Sequence, residues 1–97
     1  MHPHQKSLHD QFWEFHRANP SVYRELVRLA FDLYRRGHKK YGIGGLFEVL
    51  RWQRAMQTTS SDFKLNNNHR AFYARLIMDH EMLLQDFFDV RTQKAGA

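Results

Sequence analysis

Apolar and polar positions alternate at helical spacing through most of the chain. Leu8, Phe12, Phe15 and His16 share a face and predict a helix over about 8–18. Ser7 followed by Asp10 resembles a capping box at its start. Asn19-Pro20 closes it and opens the next, because proline fits the first helical position, where its missing N–H costs nothing. Val22, Leu26, Leu29 and Leu33 then form a 4-3-4 stripe widened by Tyr23, Ala30 and Tyr34, and predict a helix over about 21–36. Gly37 reads as the glycine just past its end.

From Gly37 to Gly45 the pattern lapses. Four glycines in these nine residues argue against a stable helix, and a short extended segment at 40–43 is open. A third helix is expected from Gly45 or Leu46 to about Met56, burying Leu46 and Leu50 with Val49 or Phe47, and with Trp52 near the boundary. Thr58 to Asp62 is a loop by composition, and 63–65 alternates as a short strand would. Asn66-Asn67-Asn68 suits a cap. Phe72, Leu76, Leu83 and Phe87 hold heptad spacing, with Tyr73, Ile77, Leu84 and Phe88 beside them. They predict a last helix from about His69 that either runs to about 88 or bends near His80. The expected architecture is mainly α, with four to five helices, helix-turn-helix-like or winged-helix-like, and one or two short strands near 40–43 and 63–65. A flexible tail at 1–6, a single helical domain at 7–91 and a frayed end at 92–97 complete this reading.

Composition narrows the chemistry. The 97 residues are 42% hydrophobic and 14% aromatic, which suits one small globular domain. There is no cysteine, which excludes a disulfide scaffold, a cysteine zinc finger, an iron–sulfur site and a thiol nucleophile. No apolar run is long enough to span a membrane and no secretory signal is visible, so the expected setting is cytoplasmic. The seven histidines do not fall at the spacing of a structural metal site. Ser21, Ser60 and Ser61 sit in no nucleophile motif, and Gly42, Gly44 and Gly45 lack the Gly-Lys-Ser/Thr of a phosphate loop. The expectation is a protein that is not an enzyme and needs no cofactor or metal.

Charge is what gives the chain a direction. The net charge is +5, but residues 35–75 hold nine Lys or Arg against two acidic residues, while 76–90 hold four acidic residues and no Lys or Arg. A basic middle suits a polyanion, and its plain alternative is a solvated surface paired with the acidic stretch. In a helix-turn-helix unit the second helix begins in the major groove. Here that start holds Asn67, Asn68, Arg70 and Arg75, and Asn reads adenine as Arg reads guanine. Residues 57–67 are too long for the usual turn, and the Asn run would serve equally as a capping loop. Arg35, Lys39, Lys40, Arg51, Arg54 and Lys64 are the expected phosphate contacts, which position a complex without specifying sequence. Most aromatics belong to apolar stripes, whereas Trp13, Tyr41 and Trp52 are free either for the core or for stacking on bases.

Phe15-His16, Asn19-Pro20, Tyr41-Gly42-Ile43, Glu48-x-x-Arg51-Trp52, Phe63-Lys64-Leu65-Asn66-Asn67 and Tyr73-Ala74-Arg75-Leu76 together resemble a group of short uncharacterised proteins of tailed phages and prophages. The resemblance spans about 15–91 and implies a small accessory or regulatory protein of the bacterial cytoplasm. Nucleic-acid binding, to DNA before RNA and as a monomer or homodimer, is expected from the charge and helix pattern alone. The alternative is an interaction module that binds or inhibits a bacterial host protein through the same basic face.

Overall fold

The computed structural model describes residues 6–57 and 64–89. The described residues fold as four α-helices, α1 (Leu8–Ala18), α2 (Pro20–Arg35), α3 (Ile43–Gln57) and α4 (Arg70–His80), with short 3₁₀ turns at Asn67–His69 and Met82–Leu84. The mainly α expectation therefore holds. Residues 1–5, the stretch 58–62 expected as a loop, Phe63 and the residues from Val90 onward lie outside the described residues.

Local chemistry sets the first two helices. The Ser7 hydroxyl accepts the Asp10 N–H at 3.1 Å and caps α1. Asn19 ends α1 by donating its main-chain N–H and its side-chain amide to the Phe15 carbonyl, and Pro20 opens α2. At the far end of α2, Gly37 has φ +100°, its N–H donates to the Tyr34 carbonyl, and the His38 N–H donates to the Leu33 carbonyl. That pair of bonds is a Schellman motif, and it requires the left-handed conformation that glycine adopts without strain.

Two expectations are corrected, and one open alternative is decided. There is no strand at 40–43: α3 starts at Ile43, with Gly44 and Gly45 in its first turn. Close approach explains these glycines. A Cβ on Gly45 would lie 2.8 Å from the Tyr41 ring, and one on Gly44 would lie 3.2 Å from the Arg70 guanidinium. There is no strand at 64–65 either; Leu65 is buried and leads into the turn that Asn66 caps by accepting the Asn68 N–H. Of the two courses open for the last helix, the structure shows the break near His80 rather than a continuous run to 88. The helix ends at His80, and Glu81 is extended. The break turns Leu84, Phe87 and Phe88 into the core and leaves Leu83, which the heptad spacing would bury, 62% exposed. The Tyr41 N–H donates to the Phe87 carbonyl at 3.0 Å, so this returning segment is tied to the entrance of α3.

All four helices contribute to one core. Val22, Leu26 and Ala30 of α2, Leu46, Phe47 and Leu50 of α3, and Tyr73, Ala74 and Ile77 of α4 are buried together. Phe12 of α1 lies at the centre of its aromatic part. It stacks on Phe72 at 5.1 Å and takes the edge of Tyr73 at 4.8 Å. Such contacts add to the gain from area burial alone.

Candidate nucleic-acid interface

The expected basic residues divide into those that the fold displays and those that it uses internally. Lys39 and Lys40 are displayed. They follow the Schellman turn, where the chain is forced off the α2 axis, and both are exposed with no ion pair among the described residues. Arg35, one turn earlier, is exposed and 3.9 Å from Asp32, a separation that contributes little at a surface. Lys64 is exposed beside a groove of about 650 Å³ whose lining includes Glu14, Phe15, Leu65 and His69. Arg75 is exposed on α4, next to Met78, Asp79 and Gln85.

Arg51 and Arg54 are used differently. Arg51 is ion-paired with Glu48, donates to the Leu65 carbonyl at 2.9 Å and to the Asn67 side-chain oxygen, and lies over the Phe47 ring. Arg54 donates to the Ser21 hydroxyl at 2.9 Å, joining α3 to α2. Both guanidiniums hold elements together. Asn67 is correspondingly occupied, while the Asn68 side chain is exposed on the turn.

Arg70 joins two helix beginnings. Its Nε donates to the Asn67 carbonyl at 3.2 Å, and its guanidinium rests against Gly44 in the first turn of α3. The leading N–H groups of a helix have no acceptor inside it and form the positive end of its dipole. Arg70 adds a full positive charge there, with no carboxylate paired to it among the described residues. Lys39 and Lys40 precede that turn by only a few residues. The Arg70 guanidinium and the leading N–H groups of α3 lie together, and such a pairing of a cation with main-chain donors suits an anion with several oxygens.

The buried polar groups lie elsewhere. His69 is 4% exposed between Phe12 and Phe15, and neither ring nitrogen has a partner. Burial lowers its pKa, and that of His16, from the usual histidine value. Burial raises the Tyr73 phenol, whose oxygen is also unpartnered. Tyr23 is pushed up to about 12 by burial and by Glu81, to which its hydroxyl donates at 3.4 Å. No group of three or more His, Asp or Glu among the described residues is placed to hold a metal ion.

Sequence reasoning singled out the displayed lysines but missed the contact between Arg70 and Gly44, which joins residues far apart in the chain. No helix of the described residues is long and apolar enough to cross a membrane. The chain matches no family model, no curated protein and no solved structure.

Proposed function

We propose that this protein binds nucleic acid, double-stranded DNA in the first instance, as a small accessory or regulatory protein of the phage or prophage type that its sequence resembles. The observation behind this reading is the Arg70 guanidinium seated on Gly44 at the start of α3, with no carboxylate paired to it among the described residues, together with the exposed Lys39 and Lys40 a few residues before that helix. Lys39, Lys40, Arg70 and Arg35 contact phosphates. Arg75 and Asn68, exposed on and just before α4, are the side chains left to reach base edges in a helix-turn-helix-like docking. Arg51 and Arg54 position α3 and contribute charge without direct contact.

Fluorescence anisotropy with a labelled random-sequence duplex tests this at about 50 mM and about 200 mM salt, because each neutralised phosphate steepens the salt dependence by about 0.9. The expected result is measurable binding at low salt and a steep fall at high salt. Absence of binding at low salt would overturn the reading and turn attention to an acidic surface on a host protein.

A further inference from the structure

Beyond His80 the chain is extended at Glu81, which brings the Glu81 carboxylate to α2, where the Tyr23 hydroxyl donates to it at 3.4 Å. This contact forms part of the wall of an open cleft of about 470 Å³, lined by Trp13, His16, Tyr23, Leu76, His80 and Glu81. The volume suits a small ligand. Its aromatic walls are held in place. The Trp13 indole N–H donates to the His9 Nε2 at 2.9 Å. The His16 ring lies parallel to Phe12 at 5.8 Å between centroids and edge-on to Tyr73 at 5.7 Å. Trp13 and Tyr23 are each 5.7 Å from His16 and inclined to it by 64° and 63°. Rings set at such angles border a space without stacking shut across it.

The lining selects for positive charge. Aromatic faces are the negative part of a ring and attract a cation. Glu81 is the one carboxylate of the cleft, no Lys or Arg lines it, and no ion pair neutralises Glu81 among the described residues. Glu81 is half-buried, so its charge acts through a lower dielectric than in open water. Burial lowers the His16 pKa, so that ring is neutral near pH 7 and does not repel a cation. The kind of cation follows from the hydrogen bonding. A bare ammonium is strongly hydrated and needs several acceptors to replace its water. The indole can only donate, and the Tyr23 hydroxyl is engaged with Glu81. An alkylated ammonium needs no acceptor, and its methyl groups pack on rings and on Leu76 while they carry the charge. We propose that this cleft binds a methylated ammonium group, with Trp13, His16 and Tyr23 against its methyl groups and the Glu81 carboxylate balancing its charge. None of these residues belongs to the proposed nucleic-acid contacts, so the two readings stand or fall separately.

Proton NMR titration of the full chain with tetramethylammonium and with choline tests this. The expected result is a saturable upfield shift of the ligand methyl resonance, because ring faces shield it, with half-saturation at about 0.1–5 mM. The neutral analogue of choline, with a tert-butyl group in place of the trimethylammonium, should bind about tenfold more weakly or not at all. Glu81→Gln keeps the shape and an acceptor for Tyr23 but removes the charge, and should weaken choline about tenfold. Trp13→Leu, with its helical circular dichroism signal unchanged, should abolish the shift, while Trp52→Phe on α3 should leave it as it is. A short peptide carrying trimethyllysine, run against the same peptide with plain lysine, separates two sources of the group. Tighter binding of the trimethyllysine peptide than of choline assigns the cleft to a modified protein, and the reverse order assigns it to a free small cation. No saturable shift with the free cations or the peptide, equal binding of the neutral analogue, or undiminished binding by Glu81→Gln or by folded Trp13→Leu would each overturn the proposal.

Discussion

Arg51 donates to the main-chain carbonyl of Leu65 at 2.9 Å and so fastens the middle of α3 to the segment that introduces α4. The same guanidinium holds the Asn67 side chain and Glu48. Removing it strands the acceptors at the α4 entrance. Arg51→Ala should cost about 1–2 kcal/mol, since hydrogen bonds to a charged donor exceed neutral ones. For a domain of this size that lowers the melting temperature by roughly 5–15 °C. Thermal denaturation followed by circular dichroism checks it, and Arg51→Lys should recover only part of the loss because an ammonium lacks the planar fork.

The two glycines opening α3 should respond differently to alanine. At Gly45 the new Cβ meets the rigid Tyr41 ring at 2.8 Å, closer than van der Waals contact allows, so the whole ring must be displaced from its place over α3. Gly45→Ala should therefore destabilise. At Gly44 the neighbour is the tip of the Arg70 side chain, which can swing aside. There the usual helical advantage of alanine, about 0.4–1 kcal/mol, should appear as stabilisation. Urea denaturation midpoints of the two variants should move in opposite directions.

The segment after α4 gives a second contrast. Phe87→Ala empties a site that is 1% exposed and should cost about 3–5 kcal/mol, a large part of the stability of a small domain. Leu83→Ala, four residues earlier, should stay within about 0.5 kcal/mol. Equal effects of the two substitutions in denaturant titrations would mean that the helix continues past His80.

Acid should weaken the fold through His69 and His16. Burial lowers both folded pKa values below the unfolded value of 6.5. Below that value the unfolded chain binds protons that the native state refuses, so stability is constant above it and falls as pH drops through it. Urea midpoints at about pH 7.5 and about pH 5.5 should differ, the lower pH being the weaker. His69→Leu should flatten the dependence.

If Lys39 and Lys40 each face a phosphate, replacing both with alanine should lower the salt slope by about two units and weaken binding to every duplex sequence alike. Arg75→Ala should leave the slope nearly intact and change which sequences are preferred. Anisotropy titrations at several salt concentrations separate the two.

Helix boundaries set by adjacent residues were readable from the chain: Ser7, Asn19-Pro20 and Gly37 act within a turn of where they stand. The end of α4 was left open between a run to about 88 and a bend near His80, because neither glycine nor proline marks it, and Leu83 and Leu84 fit a helical pattern equally well. Their fates separate only when the returning segment finds Tyr41. The candidate interface divides the same way. Lys39 and Lys40 are displayed because nothing near them in sequence can pair with them. Arg51 and Arg54 looked like solvent-facing cations, yet their partners Leu65 and Ser21 lie 14 and 33 residues away.

The bond from Tyr41 to Phe87 bears on the order in which the molecule forms. A chain growing from its N-terminus possesses all four described α-helices once His80 has been added, but the core still lacks Leu84, Phe87 and Phe88. Until those side chains arrive, the part of the core that they fill stays open to water. The helices must then associate loosely and tighten late, so a nascent chain halted before Leu84 is open to proteases and chaperones, and one that has passed Phe88 is closed to them.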